Sequence, residues 1–183
     1  MTLVPLAIGF GLLVRINYLD YESPITYDRV DQITFENFRG LEFFKKSLYG
    51  NERFAYVVTS FESEIEEDSV KVQSLFHPSR SFVYNSHSNS TSLLRHEIYH
   101  FKITELFCRR AKEEIALKKQ LSKKEIADII NKFEYREREF QKRYDYDTFH
   151  SYVFGEQKKY ERKIDSLLNL LSKYEKPKVA LNE

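Results

Sequence analysis

Residues 90–115 read STSLLRHEIYHFKITELFCRRAKEEI, and the organisation of the chain can be worked out from this segment. Several of its side chains recur at the three- and four-residue spacing of one helical face. They are Leu93, Glu97, His100, Thr104, Phe107, Ala111 and Ile115. The preceding polar run, residues 85–92, is typical of a loop whose serine and asparagine side chains cap a helix. The segment therefore predicts a long helix that begins near Ser90.

Two further helices are predicted after this one. Residues 122–125 (SKKE) form a capping box that starts the second helix, and a third is expected over residues 155–174. In helical conformation, the segment from His96 to Leu121 and the segment from Ser122 to Tyr146 would each be about 36–37 Å long. A tight turn at residues 120–122 would therefore make the first two helices an antiparallel pair of matched length, with a loop at residues 145–151 at the far end.

The N-terminal half has the sequence pattern of strands and turns. Residues 54–61 (FAYVVTSF) are rich in aromatic and β-branched side chains, residues 70–76 alternate in polarity, and residues 82–84 follow a polar turn. We therefore predict an α+β fold, with an antiparallel sheet in the N-terminal half packed on long helices of the C-terminal half. The predicted domain covers residues 25–176, with an N-terminal segment before it and a tail at residues 177–183.

Composition excludes several classes of protein. The 183 residues contain 29 Lys and Arg against 28 Asp and Glu, so a net charge of +1 gives no reason to expect a nucleic-acid partner. A hydrophobic fraction of 42% argues against wholesale disorder. The single cysteine excludes an internal disulfide and any CxxC site. The oligomeric state cannot be predicted from the sequence.

The first 24 residues contain an apolar run. Residues 3–14 (LVPLAIGFGLLV) carry no charge, but a helix of this length reaches about 18 Å and falls short of the ~30 Å hydrocarbon core. The length suits the apolar region of a signal peptide or a membrane tether, which would make the protein secreted or periplasmic. No Lys or Arg precedes the run, and Arg15 follows it. A buried N-terminal strand or helix, and a cytoplasmic location, therefore stay open.

The sequence His96-Glu97-Ile98-Tyr99-His100 is an HExxH motif. On a helix, His96 and His100 lie on one face and can bind one Zn²⁺ ion. Glu97 lies beside them, where it can act as general base towards a metal-bound water that attacks a peptide carbonyl. The motif therefore predicts a zinc-dependent peptidase acting on a peptide or protein substrate.

A catalytic zinc usually has three protein ligands, and the third must come from elsewhere. Glu105 is about 140° around the helix from His100, so we expect it to pack or form an ion pair instead. The matched helix lengths bring the end of the second helix level with the motif, which makes His150 the candidate third ligand. Asp145 and Asp147 are competing ligands or orient a ligating imidazole. Tyr144 and Tyr152 are candidates to stabilise a developing oxyanion.

Residues 94–110 (LRHEIYHFKITELFCRR) resemble the HEQxHFDIxExxAR motif of a bacterial domain-of-unknown-function family described as predicted secreted zinc-dependent proteases. Residues 33–40 and 81–83 are similar to that family's opening and SWV strand, and residues 144–150 with Gln157 are similar to its YDxxTxHG…Q ending. The resemblance covers residues 25–175. This chain has Lys102 where the family has Asp, and Ser151 where it has Gly.

The resemblance implies a gluzincin- or metzincin-like zinc peptidase that is exported, with His96, His100 and His150 as ligands and Glu97 as base. Two alternatives stay open at this point. The first is a metal-binding module without hydrolytic activity, whose site is closed by four protein ligands. The second is a protein-interaction domain without metal, which uses its long charged helices to bind a partner.

Overall fold

The computed structural model describes residue 9 and residues 21–40, 54–84 and 90–181. The strands are β1 (Ile25–Thr26), β2 (Phe54–Tyr56), β3 (Thr59–Ile65), β4 (Ser69–Phe76), β5 (Phe82–Tyr84) and β6 (Lys178–Ala180). The α-helices are α1 (Thr91–Leu117), α2 (Lys123–Thr148) and α3 (Phe154–Leu170). Short 3₁₀ helices cover Tyr27–Gln32, Phe35–Asn37 and Ser172–Tyr174.

The main sheet has four strands, all antiparallel, and is built around β4. Strand β3 pairs along β4 from Thr59 opposite Phe76 to Ile65 opposite Val70. On the other edge, β1 pairs with the end of β4 and β6 pairs with its beginning. Strands β2 and β5 form a separate two-stranded antiparallel sheet. The predicted α+β fold, with sheets in the N-terminal half and long helices in the C-terminal half, is confirmed.

The predicted strand over residues 54–61 is divided in two. The break falls at Val57 and Val58, where neither backbone N–H joins a strand ladder. The N–H of Val57 donates to the carboxylate of Glu97 at 3.0 Å, and that of Val58 donates to the hydroxyl of Ser81 at 2.9 Å. Side chains distant in sequence thus end β2 and let β3 join a different sheet.

Helices α1 and α2 form the predicted antiparallel pair. Contacts between them run in opposite directions along the two sequences: His100 meets Gln141, Thr104 meets Glu137, and Glu114 meets Lys132. The capping box is present, since the Ser122 N–H donates to Glu125 at 2.9 Å and the Glu125 N–H donates back to the Ser122 hydroxyl. The main core lies where β4 and the inner faces of the three helices meet.

The segments on either side of the predicted domain, residues 1–24 and 177–183, can also be compared with the structure. Residues 178–180, within the predicted tail, form β6, and the side chain of Val179 packs against the core. The apolar run at residues 3–14 lies outside the described residues, apart from Gly9. Within residues 21–40, 54–84 and 90–181, no helix combines the length and the apolarity needed to cross a membrane.

Candidate metal centre

The first turns of α1 carry the HExxH residues towards α2. Ser90 caps the helix by accepting the N–H of Leu93 at 3.3 Å. His96 is fully buried and His100 largely so, and their Nε2 atoms are 3.2 Å apart. Two imidazoles therefore direct the same nitrogen towards one point, as a shared metal ion requires.

Asp145 reaches the same point from α2. Its Oδ1 atom is 3.2 Å from Nε2 of His96 and 2.9 Å from Nε2 of His100. The sequence placed Asp145 in a loop and made it a competing ligand or an orienting group. The predicted loop over residues 145–151 is wrong for residues 145–148, because α2 continues to Thr148 and carries Asp145 in its last turn. The antiparallel pairing of α1 and α2 explains why Asp145 lies beside His96 and His100.

His150 lies in the sharp turn between α2 and α3. Phe149, His150 and Ser151 have φ values of 47°, 50° and 77°, so three consecutive non-glycine residues adopt a left-handed backbone. The turn folds the chain back so that Nδ1 of His150 lies 3.5 Å from Oδ1 of Asp145. The His150 side chain is 53% exposed. His96, Asp145 and His150 each offer a ligand atom, and these atoms lie within 4.8 Å of one another.

These distances can be compared with a tetrahedral zinc site. Ligand bonds of about 2.1 Å place neighbouring donor atoms about 3.4 Å apart. The donor atoms of His96, His100 and Asp145 lie 2.9–3.2 Å from one another, and Nδ1 of His150 lies 3.5 Å from that of Asp145. The first three donor atoms thus have spacings suited to one small divalent cation, and nitrogen and carboxylate oxygen are donors that zinc accepts.

The protonation states in this cluster are strongly coupled. Burial lowers the pKa of His96 to about 4. Burial would also lower the pKa of His100, but its hydrogen bond to the Asp145 carboxylate outweighs burial and raises that pKa to about 9. Burial would raise the pKa of Asp145, whereas its hydrogen bonds with His100 and His96 hold that pKa well below its usual range. Without a metal, the cluster is therefore a neutral His96 beside a charged His100–Asp145 pair.

Glu97 is buried at the edge of the cluster. One carboxylate oxygen accepts the N–H of Val57, which fixes the side chain against the strand break. Burial raises the pKa of Glu97 to about 8, against the opposing effect of His100. Without a metal, Glu97 is therefore mostly protonated at neutral pH, and a divalent cation beside it would favour the charged form that can accept a proton.

Gln141 is a site residue that the sequence analysis missed. Its Oε1 atom contacts Nδ1 of His100, and its Nε2 atom donates to the His100 carbonyl at 2.9 Å and to Glu137 at 2.8 Å. Glu137 is further held by the Thr104 hydroxyl at 2.9 Å. Gln141 and Glu137 precede Asp145 by four and eight residues on α2, so the four-residue spacing of a helix face was the available signal.

Three other predicted site residues have different surroundings. The ring of Tyr144 stacks on His96 with centroids 4.6 Å apart, and its hydroxyl donates to the His96 carbonyl at 3.5 Å. Asp147 binds Arg143 at 2.8 Å and Tyr160 at 2.7 Å, so the structure does not bring it to the cluster. Tyr152 is 65% exposed and its ring meets Phe149. Tyr144 therefore fixes His96, and the oxyanion role predicted for these tyrosines has no support in their contacts.

The expectation that Glu105 packs or forms an ion pair is confirmed. Glu105 points away from the cluster and forms a buried ion pair with Arg109, with 2.7 Å between Oε1 and Nε. It also accepts the Ser74 hydroxyl at 2.8 Å. Cys108 is fully buried.

A cleft of about 480 Å³ opens beside the cluster. Residues 55–59 form one wall and α1 and α2 form the other, with His100, Gln141, Asp145 and His150 exposed to the cleft. Strand β5 pairs with β2, and the residues that follow β2 face the motif helix.

Comparison of the chain with protein-family models, with curated proteins and with solved structures gave no significant match.

Proposed function

We propose that this chain is a zinc-dependent peptidase in which Glu97 acts as the general base. The observation that carries the proposal is the convergence of three donor atoms, from His96, His100 and Asp145, at zinc-like spacings beside a buried carboxylate in an open cleft, with His150 next to Asp145. His96 and His100 would hold the ion together with Asp145 or His150. When bound, the zinc ion would supply a water of lowered pKa and would polarise the scissile carbonyl.

Glu97 would take the proton from the attacking water and pass it to the leaving amine. The Val57 N–H donates to one of its carboxylate oxygens and holds the side chain in one position at the wall of the cleft. Gln141 accepts a hydrogen bond from Nδ1 of His100, so that Nε2 is the nitrogen that would give up its proton and bind the metal. Tyr144 packs flat on His96 and fixes the plane of that ring.

The resemblance to the family of predicted secreted zinc-dependent proteases is part of the same proposal. That family has glycine at the position of Ser151, where the φ value of 77° is one that favours glycine. Residues 144–150, which carry the resemblance near the C-terminus, supply both Asp145 and His150. The resemblance also favours a secreted or periplasmic location, with residues 3–14 as a candidate signal or tether.

One observation favours a second function. Oδ1 of Asp145 lies within 3.5 Å of a nitrogen of all three histidines, so a metal bound by all four residues would have no position open for water. Such a closed site would make the chain a metal-binding module without hydrolytic activity. The half-exposed side chain of His150 favours the open alternative, because a weakly held fourth donor can leave the ion.

The test uses the full chain loaded with zinc and its Glu97→Ala variant. We expect the wild type to hydrolyse an unstructured protein such as casein. The variant should retain about one zinc per chain by elemental analysis and lose hydrolysis by at least about 100-fold, the usual range for a general base. Zinc binding without hydrolysis in the wild type would favour the closed site. A wild type that binds no zinc would favour the interaction domain without metal.

A further inference from the structure

The cleft extends beyond the metal centre along α2, and its far end has an acidic side chain. Glu137, Gln141 and Asp145 line the same wall at four-residue intervals, so the cleft follows this helix face. Glu137 is displaced from Asp145 by about 12 Å along the helix axis. An extended peptide rises about 3.3 Å per residue, so Glu137 would meet a substrate side chain three or four residues from the bond that is cut.

The charges of the cleft differ between its two ends. Its described lining contains the carboxylates of Glu97, Asp145 and Glu137, and no lysine or arginine. A bound divalent cation would offset the charges of Asp145 and Glu97. Glu137 has no cationic partner among the described residues, and its own contacts are to the neutral groups of Thr104 and Gln141. Its negative charge would therefore dominate the far end of the cleft.

The Glu137 carboxylate is also held in place. The Thr104 hydroxyl and the Gln141 amide both donate to Oε1, from α1 and α2 respectively, while Oε2 has no hydrogen-bond partner among the described residues. One oxygen thus anchors the group and the other can receive a donor from the substrate. A charge fixed before binding costs little conformational entropy when a ligand arrives.

We propose that Glu137 selects substrates with a lysine or arginine side chain three or four residues from the scissile bond. This inference rests on the proposed peptidase function. The ammonium or guanidinium group would donate to the Oε2 atom of Glu137. Glu137 is here a specificity-determining residue and takes no part in the chemical step.

Two variants of the full chain separate this role from a structural one. Glu137→Gln keeps an oxygen that can accept from Thr104 and Gln141, and removes only the charge. Glu139→Gln makes the same charge change on α2 at a half-exposed side chain that pairs with Lys142 at 2.8 Å. Each zinc-loaded protein digests a random peptide library, and mass spectrometry reads the residues around every cut.

In the wild type, we expect basic residues to be enriched about tenfold over acidic ones at the selected position, as for a fixed charge pair in a partly enclosed cleft. The enrichment should vanish in Glu137→Gln, persist in Glu139→Gln and shrink at high salt. Cleavage without basic enrichment in the wild type, or enrichment that survives Glu137→Gln, would overturn the inference and leave the peptidase proposal standing. Absence of any cleavage by the wild type would overturn both.

Discussion

Both ring nitrogens of His100 have partners in the candidate site. Nε2 faces His96 and Asp145, while Nδ1 contacts the amide oxygen of Gln141. The Gln141 amide cannot turn over, since its nitrogen donates to the His100 carbonyl and to Glu137. One glutamine therefore holds Nδ1 of His100 as a hydrogen-bond donor and points Nε2 towards His96 and Asp145.

We expect Gln141→Ala to lower zinc affinity about 10- to 100-fold, the usual cost of losing a partner that orients a ligating histidine. Competition with a chromophoric chelator would measure the affinity. Lys142→Ala, at an exposed position one residue further along α2, is the control and should leave the affinity unchanged. Equal affinities for wild type and Gln141→Ala would show that His100 needs no partner at Nδ1.

At the scale of elements, two chain segments approach so closely at Gly40 that there is no room for a larger side chain. The N–H of Gly40 donates to the carbonyl of Ser81 at 2.7 Å, and a Cβ atom at residue 40 would lie 2.7 Å from that oxygen. The contact ties the segment after the 3₁₀ helix Phe35–Asn37 to the start of β5. Backbone atoms on both sides leave little room for adjustment.

Gly40→Ala should therefore destabilise the fold by about 1–3 kcal/mol, the usual cost of overpacking. Gly155→Ala is the matched control, because nothing lies within 4 Å of a Cβ atom at that position in α3. It should raise stability by up to about 1 kcal/mol, since alanine favours a helix over glycine. Urea denaturation of both variants would measure the free energies of unfolding. An unchanged free energy of unfolding in Gly40→Ala would contradict the close approach of residues 40 and 81.

The elements also show what the sequence allows one to predict. The three helices follow from local signals, namely the periodic stripes, the Ser90 cap and the Ser122–Glu125 capping box, and matched lengths predicted which helix ends meet. The break at Val57 has no local signal, because Glu97, forty residues later, accepts the N–H that ends β2. Gln141 was missed because its partner lies on the opposite helix, so its role depends on tertiary contact.

At the scale of the whole molecule, the candidate centre joins parts of the chain that are far apart in sequence. Its donors come from the start of α1, the end of α2 and the turn before α3, and Glu97 beside them is tied to Val57 in the N-terminal half. Without metal, a charged His100–Asp145 pair is held inside the fold beside His96. A divalent cation that binds only the folded chain would link the helices at this point, so metal binding and global stability must be coupled.

We therefore expect zinc to raise the melting temperature of the full chain and chelation to reverse the rise. Free zinc at 100 times its dissociation constant stabilises a folded protein by about 2.7 kcal/mol, which corresponds to about 5–10 °C for a chain of this size. Differential scanning calorimetry would measure the shift, with Glu97→Ala retaining it because that residue is not a ligand. The His96→Ala/His100→Ala double variant should show no shift. The same shift in the double variant would place the bound zinc elsewhere, since neither imidazole would then be needed to hold the ion.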